Sequence, residues 1–338
     1  MGFKRFDPED FLVSADSVSS TVWSGNNPEL EEFYYSTAQF QTAGDYYLSV
    51  YQTASNLSNA EVQFDIAYGH VKGSGSLYYN ISVPGASPSK TVYGQYRSLV
   101  LEDENSAFSF GNVEQEYFYA INVSRARYKE KLLPGSLNVV LISGSNTLHL
   151  TDNSQNVTLP TYYGTQRAYQ IVSGSDGSAY DVSTGGNGYT PASGSYGLFL
   201  PDISTILLNG KALDLAGPDG IDLGTNLTAN TDGQNVLKLY EALVTGSSFK
   251  LNSEETITSD FVFVRSRNAE FNYSTNPSFI SGSTGEVIYP FFINNPQVYP
   301  TTVGLYNDAN ELLAVAKLSR PLQKNFTKEA LVRVKLDF

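Results

Sequence analysis

Val332-Arg333-Val334-Lys335-Leu336-Asp337-Phe338 closes the chain. Val332, Val334, Leu336 and Phe338 alternate with Arg333, Lys335 and Asp337, the period-two pattern of a strand with one face buried and one in water. Leaving Phe338 in water would forfeit roughly 1.5–3 kcal/mol of burial, so the chain is expected to finish inside a sheet. Working back from there, residues 299–329 read as a strand, a tight turn, a second strand and a capped helical turn that leads into the last strand.

The composition agrees with a sheet protein. Of 338 residues, 41% are apolar and only 16% charged, while 24 Tyr and 19 Phe supply the aromatic side chains that suit pleated surfaces. That length allows two or three domains. A net charge of −13, from 21 Lys and Arg against 34 Asp and Glu, repels a phosphate backbone and disfavours nucleic acid as a partner. There is no apolar run of the roughly 18 residues a membrane helix needs, so no membrane partner is expected. The first ten residues meet acids before any apolar stretch and do not read as a secretory signal. The absence of cysteine excludes disulfides, thiolate metal sites and cysteine nucleophiles.

Along the chain, strand-like runs at 46–51, 61–67, 76–83, 91–101 and 116–123 are separated by Gly, Pro and Ser clusters, a spacing typical of sandwiches and barrels. Pro134-Gly135 predicts a turn before the apolar run 137–142. From 152 to 235 the composition shifts to Gly, Ser, Thr, Asn and Asp, broken by strand-like runs at 196–200 and 203–208. One convincing helix is predicted at 236–244, with Leu237, Tyr240, Leu243 and Val244 on one face. Residues 261–265 read clearly as a strand. The expected fold is all-β and mainly antiparallel: two or three sandwich- or barrel-like domains, an extended N-terminal arm and few short helices. The boundaries read as an arm over 1–44, a β domain over 45–151, a loop-rich inserted β domain over 152–250, and a C-terminal portion over 251–338 with the option of completing the first domain's sheet.

No catalytic constellation emerges. His70 and His149 sit at a strand end and on a polar strand face, and neither neighbours a nucleophile elbow. Glu102-Asp103-Glu104 and Glu254-Glu255 read as solvated turns, not as an opposed acid pair. Asp214 to Asp222 and Asp176 to Asp181 place oxygen ligands on Gly-containing loops, but neither matches the twelve-residue calcium loop, and Asp-Gly is an ordinary turn pair. The expectation is therefore no enzyme activity, no metal and no cofactor. Arg125, Arg127, Lys129 and Lys131 form the one cationic concentration, with a spacing that puts all four on one face of a strand. A short helix fits this segment equally well. As a strand it would serve either to dock an acidic patch on a partner or as a solvated edge that discourages unwanted pairing.

Val303-Gly304-Leu305-Tyr306-Asn307-Asp308 and Glu311-Leu312-Leu313-Ala314-Val315-Ala316-Lys317, with the closing residues 329–338, resemble virion structural proteins of contractile-tailed phages that infect marine cyanobacteria. Residues 11–23 and 125–135 resemble the same group. The segment around Tyr306 is also similar to a hairpin of phage tail-fibre attachment domains. The resemblance implies a virion subunit of the tail, made in the host cytoplasm. It would sit at the baseplate periphery or, as the alternative, in the neck or collar. It would be oligomeric in the particle, with other virion proteins as partners and no catalytic residues. Candidate docking residues are Trp23, Arg125, Arg127, Lys129, Lys131, Tyr306 and Phe338, with the arm over 2–23 expected to order on a neighbouring subunit that buries Trp23. Two other readings compete: a receptor- or glycan-binding module in which Tyr162, Tyr163 and Tyr189 stack on sugars, and a virion hydrolase.

Overall fold

The apolar run Tyr117–Val123 forms a strand with both faces buried. Tyr117, Tyr119, Ile121 and Val123 enter one core, and Phe118 and Ala120 enter a second core behind the sheet. The computed structural model that shows this describes residues 4–36, 47–73, 89–179, 188–190, 193–227, 234–274 and 276–337. The protein is all-β and mainly antiparallel, with few helices. It groups into two compact units, one spanning Val18–Glu255 and one made of Met1–Ser17 with Thr256–Phe338.

The larger unit is built on one long sheet. Its path runs from Glu29–Leu30 through Phe249–Lys250, Asn138–Ser143, Asn146–Asp152, Gln166–Ser175, Gly197–Leu200, Thr205–Asn209, Tyr117–Val123, Val62–His70 and Tyr47–Tyr51 to Tyr34–Tyr35. The first and last strands of that path are separated in sequence only by Glu31-Glu32-Phe33. Four residue steps reach at most about 14 Å, so the sheet curls until its two edges come within one short connection of each other. Helix Asn235–Gly246 fills the enclosed face with Val236, Leu239, Tyr240 and Leu243, beside Trp23, Phe64 and Phe249. The Tyr240 hydroxyl donates to the Phe33 carbonyl at 2.8 Å and ties the helix to the connecting segment. On the other face helix Ser89–Leu101 sets Val92, Tyr93 and Val100 against Phe108, Phe118 and Leu198.

Four expectations are corrected here. Residues 91–101 are helical, because Val92, Tyr93, Tyr96 and Val100 recur at helical spacing and cover the sheet as one stripe. Helix Asn235–Gly246 buries Val236, Leu239, Tyr240 and Leu243, whereas Val244 is exposed, so its apolar face is rotated from the predicted one. Residues 152–250 do not form a separate inserted domain: Gln166–Ser175, Gly197–Leu200 and Thr205–Asn209 are inserted in space between Asn146–Asp152 and Tyr117–Val123. Residues from Thr256 onward belong to the second unit and do not complete the large sheet. The run predicted at 76–83 lies outside the described residues.

The long strand Asn252–Ser266, of which the residues from Thr256 onward belong to the smaller unit, lies between Phe11–Thr21 and Ala330–Asp337, the last pairing in register from Ser259 with Asp337 to Ser266 with Ala330. Residues 11–21 are thus a paired edge strand and not a free-standing arm. Ala330 and Val334 are buried and Val332 and Leu336 half-buried, while Leu331, Arg333, Lys335 and Asp337 are exposed, as the alternation requires. Phe338 lies outside the described residues. The expected helical turn before this strand is instead a turn closed by the Asn325–Lys328 bridge, in which Asn325 Oδ1 accepts from the Thr327 N–H and hydroxyl. An asparagine side chain that bonds two residues ahead mimics a backbone turn and stops a helix from starting.

Candidate functional site

The hairpin of the smaller unit, Thr302–Tyr306 with Leu312–Lys317, carries an exposed apolar sheet face. Its turn is rigid. The Asn307 N–H donates to the Glu311 carbonyl at 3.0 Å, the Glu311 N–H donates to Asn307 Oδ1 at 2.8 Å, and Asn307 Nδ2 donates to the Glu311 carboxylate at 2.7 Å. Val303, Leu305, Ala314 and Ala316 point inward to a small core with Val262 and Val334. The ladder pairs Leu305 with Ala314 and Tyr306 with Leu312, so Leu313 is an extra, bulged residue. As a result Tyr306, Leu312, Leu313 and Val315 are 38, 53, 68 and 58% exposed.

Gly304 shapes this face. A Cβ there would come within 2.9 Å of the Tyr306 ring and 3.3 Å of Leu312, so the missing side chain lets the tyrosine lie across the hairpin beside the leucine. Among the described residues the hairpin is a two-stranded sheet with no third strand on either side. Open edges and a contiguous apolar face are features that soluble proteins normally cover.

The charge of the chain is divided unequally. Residues 1–17 and 256–338 hold 10 Lys and Arg against 11 Asp and Glu, whereas residues 18–255 hold 11 against 23. The unit with the apolar hairpin is nearly neutral, and the larger unit carries almost all the repulsive charge. Low net charge favours association and high net charge resists it.

Of the residues singled out from the sequence, Tyr306 alone lies on this face. Trp23 is buried in its own chain, 2% exposed, with its ring edge-on to Phe249 at 4.8 Å and its N–H donating to the Phe249 carbonyl. It is a core residue of the larger unit and has no surface to offer a neighbour. The cationic stripe is not a strand face. Arg125–Arg127 forms a single tight turn, and strand pairing begins only at Lys131–Leu132. Arg125 folds back onto the Tyr128 and Lys129 carbonyls and lies over the Tyr128 ring. Arg127 pairs with Glu61 at 2.6 Å, Lys129 with Glu255 at 2.7 Å, and Lys131 with Glu254 at 3.8 Å. The chain's own acids answer Arg127, Lys129 and Lys131, and backbone carbonyls answer Arg125, so the four cations do not form one strand face. Phe338 lies outside the described residues.

His149 is exposed on its strand. His70 is buried at a strand end, stacked on Tyr117 at 5.7 Å, and its Nδ1 accepts from the Lys72 N–H. The Asp214 carboxylate takes donors from the Thr225 N–H and hydroxyl and from Tyr117. Asp181 is outside the described residues, among which no group of three or more His, Asp or Glu side chains is placed to hold a metal. Tyr162 and Tyr163 are neighbours on one strand, and so turn to opposite faces instead of forming one stacking platform.

Leu312, Leu313 and Val315 escaped the sequence reading because both faces of the second hairpin strand are apolar, so no alternation marks the outward side. The doubled leucine was the available signal, since a strict two-residue period cannot place both on the same face without a bulge. No family model, curated protein or solved structure matches the chain.

Proposed function

We propose that this protein is a structural subunit of a contractile phage tail, sited at the baseplate periphery and working by protein–protein docking. The neck or collar is the alternative position, and other virion proteins are the partners. The observation that carries this reading is the hairpin that displays Tyr306, Leu312, Leu313 and Val315 on a nearly neutral unit. The same segment bears the sequence resemblance to virion proteins. A tyrosine ring among exposed aliphatic side chains, with charge held elsewhere, has the composition of an interface core. Such a role requires neither catalysis nor a cofactor.

Cryo-electron microscopy of intact particles tests the assignment directly. The reading expects this chain at the tail periphery with its hairpin against a neighbouring subunit. A hairpin facing solvent in the particle, or a purified particle without the chain, overturns it.

A further inference from the structure

A second feature, in the larger unit, is independent of the docking surface. Four polar side chains form a row across four adjacent strands: Ser49 is in register with Asp65, Asp65 with Asn122, and Asn122 with Thr205. Cross-strand partners point to the same side of a sheet, and here that side is the one covered by helix Ser89–Leu101. Tyr96 comes down from the helix onto the row. The Thr205 hydroxyl donates to Asn122 Oδ1 at 2.6 Å, and Asn122 Nδ2 donates to the Tyr96 oxygen at 3.0 Å, so both ends of the amide are occupied. The Ser49 hydroxyl donates to Asp65 Oδ1 at 2.6 Å.

Asp65 is left incomplete. It is half-buried, its second carboxylate oxygen has no donor among the described residues, and it forms no ion pair. Every Lys and Arg of the chain falls among the described residues, and none pairs with Asp65. Beside it opens a cavity of about 200 Å³, walled by Tyr47, Tyr96, Val92, Gln95 and Asn122. Burial pushes the Asp65 carboxyl up, and burial with the Asp65 charge pushes Tyr96 up to about 12.

We propose that this cavity binds a primary ammonium group, with Asp65 as the counter-ion and the Tyr47 and Tyr96 rings as its walls. A single carboxylate calls for a single positive charge, whereas calcium takes six to eight oxygens and usually several carboxylates. Ser49 already occupies Oδ1, which leaves one oxygen for a point-charge ammonium and denies a guanidinium its two-pronged contact. Aromatic walls attract organic cations through their ring faces. The volume admits a head group with a short aliphatic stem and is below that of typical drug-sized pockets. The ammonium has two possible sources, a free small amine or the lysine side chain of a partner protein.

Calorimetric titration of the full chain with methylammonium, with a lysine blocked at its amino and carboxyl groups, with methylguanidinium and with calcium tests this. Saturable binding of either ammonium probe is expected, with weaker binding of methylguanidinium and calcium. Asp65→Asn should weaken the ammonium probes by roughly thirtyfold or more, the cost of removing one member of a desolvated charge pair. Tighter binding of blocked lysine assigns the site to a partner's side chain, and tighter binding of methylammonium assigns it to a free amine. Ser49→Ala, which frees Oδ1, should shift preference toward methylguanidinium and provides a second test should the Asn variant fold poorly. No saturable ammonium binding by the wild type, or equal binding by wild type and Asp65→Asn, overturns the proposal.

Discussion

The Trp23 indole N–H donates to the Phe249 carbonyl oxygen at 2.7 Å, and the two rings meet edge-on at 4.8 Å, although the residues are 226 positions apart. A tryptophan with its ring buried and its one donor satisfied is a structural anchor. As the chain's only tryptophan, it is also a built-in probe. The isolated protein should emit at short wavelength and resist quenching by acrylamide. Trp23→Phe should cost about 2–4 kcal/mol through the void and the orphaned carbonyl. Long-wavelength, readily quenched emission from the folded protein would contradict the packing.

Asp202 and Asp152 should show opposite dependence on pH. Burial raises the Asp202 carboxyl, but hydrogen bonds from the Arg167 side chain and N–H, with its charge, outweigh this and hold it below the usual range. A carboxylate lowered on folding stabilises above its unfolded pKa and loses that contribution as pH falls through the folded value. Asp202→Asn should therefore cost about 1–2 kcal/mol at neutral pH, and the gap to wild type should close as pH drops below about 4. Urea denaturation at several pH values measures it, and a constant gap would assign the effect to packing.

Asp152 is fully buried and accepts from the Gly135 N–H at 2.9 Å and the Ser154 N–H at 3.1 Å, which pins the Pro134-Gly135 turn. Burial, the dominant influence, raises its carboxyl. The sign is then reversed: stability associated with this group falls as pH rises through the raised folded value. Relative to Asp152→Asn, wild type should lose ground as pH rises over that window. Asp152→Ala, which orphans two half-buried N–H groups, should cost about 1–3 kcal/mol and speed hydrogen exchange at Gly135. Unchanged exchange there would show that the turn does not depend on the carboxylate.

Gly194 has φ +77°, and a Cβ on it would lie 2.0 Å from the Phe110 carbonyl oxygen. The turn it makes is closed by the Thr190 N–H donating to the Gly194 carbonyl at 2.8 Å. Gly194→Ala should cost about 3 kcal/mol or more, because the clash is with backbone and the conformation is left-handed. A thermal melt within a degree or two of wild type would refute this geometry.

The two sides of the hairpin should respond differently to substitution. Leu313→Lys and Val315→Lys, on the exposed side, should leave stability in urea denaturation within about 0.5 kcal/mol. Leu305→Ala, on the inward side, should cost about 2–4 kcal/mol. Equal destabilisation by both kinds of change would mean that the hairpin faces are assigned the wrong way round.

The readable parts of this fold are those in which a local period coincides with a local environment. Residues 330–337 alternate because one sheet face is covered and the other wet. The 137–142 run and the tight turn between the two strands of the 299–329 segment were equally plain. Residues 91–101 misled because aromatic and β-branched side chains at helical spacing resemble a strand when their partners are unseen. The cationic segment misled for a similar reason: its counter-charges, Glu61, Glu254 and Glu255, are distant in sequence.

Composition and short-range periodicity determined the all-β class, several of the strands and the terminal hairpin, because each depends on neighbours within a few residues. Only the tertiary structure decided that residues 152–250 share a sheet with 47–152, that Trp23 is core, that Leu313 bulges outward, and that Ser49, Asp65, Asn122 and Thr205 stand in one row. Each of these depends on pairing between strands far apart in sequence. The burial and counter-charge it creates belong to the assembled sheet, and no local window contains them.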